Sequence, residues 1–243
     1  MPDSSTFEYF QPQLIVPTGR VTAIEIFSLH PIQEHEKCRH LDQGIVAAAR
    51  ALKTLADNGH RHLSVCVTVP WTWIEDARAV TLAMQVVSDA HVAPYNLIVQ
   101  ISDETPLTHV PLAVRSMAKL SRHGVQVSVS NFGAAINSHY HLRFLPVTSI
   151  RVDASLMDAR RGSLRDAVIL RSLIDMVREM NIRVTVDGIN NHEDLAFAAE
   201  AQADIVQGNF IAPPTRLGLL ISWLNTTNRL TASRTLNTRP RTA

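Results

Sequence analysis

Short β-rich runs alternate with amphipathic helical runs along most of this chain, and few folds accept that order. Strands are predicted at His62–Val69, Asn96–Ser102, Val125–Ser130, Thr148–Asp153, Ile182–Asp187 and Asp204–Gln207. Helices are predicted between them at Ile74–Ala90, Pro106–His123, His139–Phe144, Leu164–Met180 and His192–Ala201. Ahead of this series, Glu8–Val16 and Arg20–Leu29 read as a hairpin turned by Pro17-Thr18-Gly19. Leu41–Asp57 follows as a helix stopped by Asn58-Gly59, and a last short helix is expected at Pro213–Leu224. Strands that alternate with helices imply a mostly parallel sheet covered by helices. An open, doubly wound sheet satisfies the same periodicity. No glycine-rich phosphate loop follows any strand, which argues against a dinucleotide fold.

The chain has 243 residues, a length that a single strand–helix barrel uses in full. Hydrophobic residues make up 46% and aromatics only 5%, so the core is expected to be aliphatic and alanine-rich. A net charge of +1 gives no bulk reason to expect nucleic-acid or membrane binding. The cysteines, Cys38 and Cys66, suggest no extracellular disulfide framework, although a single disulfide is open to them. Met-Pro-Asp-Ser-Ser lacks the start of a signal peptide, and no apolar run is long enough to span a bilayer, so a cytoplasmic location is expected. Asn225–Ala243 is polar, holds Arg229, Arg234, Arg239 and Arg241, and carries no acid. The expected organisation is therefore one domain over residues 7–224 and a disordered basic tail over 225–243.

The densest pattern runs from Val125-Gln126-Val127-Ser128-Val129-Ser130-Asn131-Phe132-Gly133 through Leu145-Pro146 to Ile150-Arg151-Val152-Asp153. It reads as strand, polar turn, short helix and strand ending on a charge, the layout with which a barrel displays chemistry at its strand ends. Tyr9-Phe10-Gln11-Pro12, Thr18-Gly19-Arg20, Glu25-Ile26-Phe27 and His30-Pro31 precede it, as do Ser64-Val65-Cys66-Val67-Thr68 and Val99-Gln100-Ile101-Ser102-Asp103. Val186-Asp187-Gly188-Ile189 and Asp204-Ile205-Val206-Gln207-Gly208 follow it. This ordered set resembles the EAL-domain family, the phosphodiesterases of cyclic di-GMP. The resemblance implies a TIM-like (β/α) barrel of the EAL type with an antiparallel first strand pair.

In active members, the resemblance implies two divalent cations held by oxygen ligands that activate water against a phosphodiester. Glu25 and Gln207 stand as the family has them. Cys66 replaces an asparagine, Gln100 a glutamate, Ser130 and Asn131 the paired aspartates, Arg151 the catalytic lysine and Asp187 a glutamate. Leu29 replaces an arginine that holds the ligand's phosphate, and Ala134-Ala135-Ile136-Asn137 replaces a loop that couples dimerisation to the site. On these positions the expectation is a degenerate scaffold that is not an enzyme, with no catalytic residue, no metal and no cofactor. Gln11, Arg151 and Asp153 are the candidate nucleotide contacts, but cyclic di-GMP is not expected as a partner. The expected partner is another protein, such as a transcription or motility regulator. The alternatives are a receptor that binds cyclic di-GMP without cleaving it and a weak enzyme built around Glu25, Asp187 and Arg151.

Other constellations carry less. The eleven histidines include His60/His62 and His139/His141, whose spacing does not support zinc. Trp71 and Trp73 follow Pro70 at a strand end, either as rim packing or as an exposed patch for a protein partner. No Gly-x-Ser-x-Gly surrounds Ser64, Ser128 or Ser130, so an independent serine hydrolase is not expected.

Overall fold

The structure, a computed structural model, describes residues 8–28, 37–102, 107–133 and 142–237. β1 (Glu8–Ile15) and β2 (Val21–Ser28) form the hairpin, with Gln11 paired to Glu25. Gly19 turns it at φ 64, a left-handed conformation that glycine adopts without a Cβ clash. The series continues with β3 (Ser64–Pro70), β4 (Leu97–Ser102), β5 (Gln126–Phe132), β6 (Ser149–Val152), β7 (Arg183–Val186) and β8 (Ile205–Val206). The strands close in chain order into an eight-stranded barrel. Every pair from β2–β3 to β7–β8 is parallel, and β1 is antiparallel to both β2 and β8. The barrel with an antiparallel first pair is as expected. The closed ring excludes the open-sheet alternative, because β1 bridges to β8 through Leu14–Val206 and Ile15–Ile205.

The helices are α1 (Lys37–Asp57), α2 (Trp71–Ile74), α3 (Ala77–Asp89), α4 (Val110–Arg122), α5 (Ala154–Gly162), α6 (Leu164–Glu179), α7 (His192–Glu200) and α8 (Leu217–Asn237). Alternation along the strands sorts their side chains. On β3, Val65, Val67 and Val69 join the hydrophobic cluster with Ile45, Leu52 and Leu55 of α1. Ser64, Cys66 and Thr68 take the opposite face, because successive strand residues point to opposite sides. The same period puts Gln100, Ser128, Ser130, Arg151 and Thr185 in a buried polar interior. A second cluster around Ile150, Val184, Leu170 and Ile174 packs α6 on β6 and β7.

Four sequence expectations change. The predicted helix Ile74–Ala90 is two helices, because Asp76 interrupts it and accepts a hydrogen bond from the Arg78 amide to cap α3. α5 lies where no helix is predicted, capped by Asp153 and ended before Ser163, which caps α6. Residues from Asn225 onward are not a disordered tail through Asn237, since α8 continues across them. No glycine or proline interrupts the chain between Leu219 and Asn237, and Leu220, Ile221 and Leu224 anchor the helix in the core. Trp71 and Trp73 are 2% and 5% exposed, which corrects their reading as a partner surface. α2 turns them inward, and Trp73 Nε1 donates to Asp42 Oδ1 at 3.2 Å. The expected helix at His139–Phe144 falls largely outside the described residues, as do Leu29 and the loop 134–137. No helix among the described residues is long and apolar enough to cross a membrane.

Candidate functional site

Glu25 sits at the centre of the barrel interior, with its side chain 2% exposed. Strand register puts Gln11 on one side of it and Cys66 on the other. Its Oε1 accepts from Thr68 Oγ1 and from Gln100 Nε2, both at 3.2 Å. Its Oε2 accepts from Gln207 Nε2 at 2.6 Å and from Arg151 Nη1. The donors themselves are held in place. Gln100 also donates to Thr68 Oγ1 at 3.0 Å, and Gln13 donates to Gln207 Oε1 at 2.7 Å. Gln207 donates to Gln11 Oε1 at 3.0 Å, and Gln11 donates to the Ala212 carbonyl at 3.0 Å. A buried carboxylate is stable only with this kind of complete hydrogen-bonding and a counter-charge.

Arg151 supplies the counter-charge. Its Nη1 meets Glu25 and lies 3.4 Å from Asp187 Oδ2. Burial disfavours the guanidinium charge, but Glu25 and then Asp187 outweigh it and hold Arg151 more firmly protonated than usual. Asp187 goes the other way. Burial pushes its carboxyl up, Arg151 opposes that, and the nearby Glu25 charge adds to the rise. Asp187 is the more open of the two acids, with 22% of its side chain exposed. Cys66, 1% exposed and free, has its thiol raised by burial and by Glu25, so it stays protonated. Cys66 is expected to escape maleimide in native buffer and to react in denaturant, as read by peptide mass mapping. Rapid native labelling at Cys66 would show that the interior opens.

On the β5 side, a bulge sets Val129 opposite Ile150 but Phe132 opposite Val152. The bulge carries Ser130 and Asn131, with Asn131 in the left-handed region at φ 56. Asn131 Nδ2 donates to Ser102 Oγ at 3.3 Å, and the buried Ser130 Oγ has no partner among the described residues. Gln207 is followed by Gly208, where an added Cβ would meet the Ile189 carbonyl at 2.2 Å. That backbone approach, sealed by Ile189 N–H to Gln207 O at 3.0 Å, fixes the Asp187–Ile189 loop over the barrel end.

The structure thus gathers Gln11, Glu25, Gln100, Arg151 and Gln207 into one hydrogen-bonded cluster with Asp187 at its edge. Cys66 and Ser130 line the same buried interior. Asp153 does something else: it accepts from the Ser155 amide at 2.7 Å as the cap of α5. Thr68 and Gln13 belong to the cluster but are absent from the sequence candidates. Their place two residues from Cys66 and from Gln11 on the same strands is the signal that finds them. Among the described residues no group of three or more His, Cys, Asp and Glu side chains gathers to hold a metal ion. Both oxygens of Glu25 are taken by protein donors, with a fixed cation between it and Asp187. This arrangement does not fit a pair of divalent cations, and no step below runs through a metal.

Comparisons with known proteins correct two expectations. The chain is 27% identical over 232 residues to the cyclic di-GMP phosphodiesterase NbdA of Pseudomonas aeruginosa, covering 89% of this chain and 30% of NbdA. It is also similar to the bifunctional diguanylate cyclase/cyclic di-GMP phosphodiesterase MucR of the same organism, at 19% identity over 85% of this chain and 32% of that protein. The chain therefore spans about a third of the length of these curated relatives. In structure it matches the PaMucR phosphodiesterase in its c-di-GMP complex with a TM-score of 0.79 and 19% identity, over 88% of this chain and 93% of that one. The expectation that the chain is not an enzyme is overturned by these relatives, a cyclic di-GMP phosphodiesterase and a solved phosphodiesterase that match over 89% and 88% of this chain. The substitutions at Cys66, Gln100, Ser130, Asn131 and Arg151 led that expectation, and they do not exclude activity by themselves. The expectation against cyclic di-GMP as a partner conflicts with the solved c-di-GMP complex of this fold. The EAL domain profile matches residues 5–214, and the chain belongs to the EAL domain family.

Proposed function

We propose that the mouth of this barrel takes cyclic di-GMP and holds one phosphodiester on the outer edge of Arg151. One observation carries the reading. Both carboxylate contacts of Arg151 use Nη1, which leaves Nε and Nη2 to meet an incoming oxyanion. Asp187 stands beside that edge with its carboxyl raised, and it is the acid of the cluster placed to hold or pass a proton at the bound phosphodiester.

Calorimetric titration of cyclic di-GMP, first in chelator and then with Mg²⁺ or Mn²⁺, tests the proposal. Saturable heat is expected. Arg151→Lys keeps the charge but loses the planar fork, and should weaken binding about tenfold. The pH dependence has a definite sign. An ionised Asp187 repels the phosphodiester and competes for Arg151, so affinity should rise as pH falls through its raised pKa. A flat or opposite pH profile removes Asp187 from the site, and no heat from the native protein removes the reading. Chromatography of the same samples for the linear dinucleotide reads turnover directly.

A second reading, contact with another protein, is supported by α6, where Leu164, Val168 and Ile169 are 83%, 57% and 54% exposed.

A further inference from the structure

A phosphodiester on the outer edge of Arg151 is cleaved only if an oxygen attacks its phosphorus, and few groups at the mouth can prepare one. Glu25 has both carboxylate oxygens filled by Thr68, Gln100, Gln207 and Arg151, so it has no lone pair directed at a substrate proton. The Asp153 carboxylate caps α5, and Cys66 is buried below the mouth. Asp187 is the open carboxylate of the cluster, with 22% of its side chain exposed. The Gly188 N–H fixes its Oδ1 at 2.7 Å, and its Oδ2 lies 3.4 Å from Arg151 Nη1. One fixed base therefore stands beside one fixed cation.

A carboxylate beside a guanidinium suits one route through a phosphodiester better than another. Attack by water on an anionic diester is the route that a pair of divalent cations assists, by lowering the pKa of bound water. The donors around Glu25 and the guanidinium between it and Asp187 do not fit that pair. The ligand brings its own nucleophile. Each 3′,5′ linkage of cyclic di-GMP has a free 2′-hydroxyl on the carbon beside the 3′ oxygen. Well-oriented intramolecular groups reach effective concentrations of about 10⁵–10⁸ M, far above any concentration of free water. A single base is enough to use such a group.

This step rests on the binding mode proposed above. We propose that the chain cleaves cyclic di-GMP without a metal, by transesterification onto the ligand's own 2′-hydroxyl. Asp187 takes the 2′ proton, and the freed electron pair forms the bond from the 2′ oxygen to phosphorus. Arg151 Nε and Nη2 hold the non-bridging oxygens as negative charge builds on them. The bond from phosphorus to the 5′ oxygen breaks and leaves its electron pair on that oxygen. The 5′ oxygen takes a proton from water at the open mouth, and Asp187 returns its own to solvent. No water is consumed. The product is a linear dinucleotide ending in a 2′,3′-cyclic phosphate, an isomer of the substrate.

The full chain, incubated with cyclic di-GMP in chelator and read by liquid chromatography with mass spectrometry, tests the step. The expected product elutes apart from the substrate at unchanged mass. The analogue with 2′-deoxyriboses should bind and stay intact. Asp187→Asn should still bind cyclic di-GMP but form the isomer about 100-fold more slowly, the lower end of what a general base contributes. Calorimetry on the same samples separates two failures. No heat from the native chain removes the binding mode and this step with it. Binding without an isobaric product overturns the transesterification alone. So does a product heavier by one water, cleavage of the 2′-deoxy analogue, or turnover that stops in chelator.

Discussion

Replacing Arg151 by methionine is expected to lower the unfolding free energy by about 3–5 kcal/mol at neutral pH, the usual cost of leaving a buried charge unpaired. Methionine fills much of the same volume, so the loss reports charge more than packing. Glu25 would keep Thr68, Gln100 and Gln207 as donors, but all three are neutral. The double variant Glu25→Gln/Arg151→Met should recover most of the loss, because an ion pair replaced at both ends leaves no orphaned charge. Urea midpoints for the native chain, Glu25→Gln, Arg151→Met and the double variant at neutral pH measure this coupling. A single-variant loss below about 1 kcal/mol would mean that water already screens the pair.

That pair also marks what the sequence could and could not show. The polar interior was legible: Gln11, Glu25, Cys66, Gln100, Ser130 and Arg151 fall on strands with Gln207 directly after β8, and period-two alternation turns the strand residues to one side. The same period opposes Val65, Val67 and Val69 to the helices, which is why the barrel could be expected. The pairing of Glu25 with Arg151 was not legible, because it joins residues 126 apart across a closed ring whose register no local pattern sets. Helix ends were misread where a cap decided them. Ser163 ends one helix and begins the next, Asp76 begins α3 just after α2 has stopped, and hydrophobic periodicity does not see either. α8 was missed beyond Asn225 because a polar, arginine-bearing segment resembles a free terminus by composition alone. The site's degeneracy was read from residue types without their partners. In the structure both oxygens of Glu25 accept from side chains of this chain.

A second buried charge should be almost as costly to disturb. Asp194, on α7, is fully buried and meets Arg160 and Arg161, with Arg161 Nη2 at 2.7 Å. It also accepts from the Asn190 amide at 2.9 Å. Asp194→Asn should cost about 3 kcal/mol, since Arg160, whose side chain is 11% exposed, keeps its charge without a carboxylate. Arg161 is more open and should lose less, with Asp158 still beside it. The pH signature separates charge from shape. Burial raises the Asp194 carboxyl, but Arg161, the Asn190 amide and Arg160 outweigh it, and the folded pKa falls below the ordinary value. The stabilisation is therefore complete above the unfolded pKa of about 3.9 and is lost as pH drops through the lower folded value. The native chain and the variant should differ by a constant amount from neutral down to about pH 5, then converge in acid. A difference that persists unchanged into strong acid would assign the loss to packing instead. The effect should also reach the mouth of the barrel. Arg161 Nη2 donates to the Gly188 carbonyl at 3.3 Å, and Gly188 N–H in turn donates to Asp187 Oδ1 at 2.7 Å. Loosening Asp194 frees the loop that presents Asp187 to Arg151, so the variant should weaken cyclic di-GMP binding and blunt its pH dependence together.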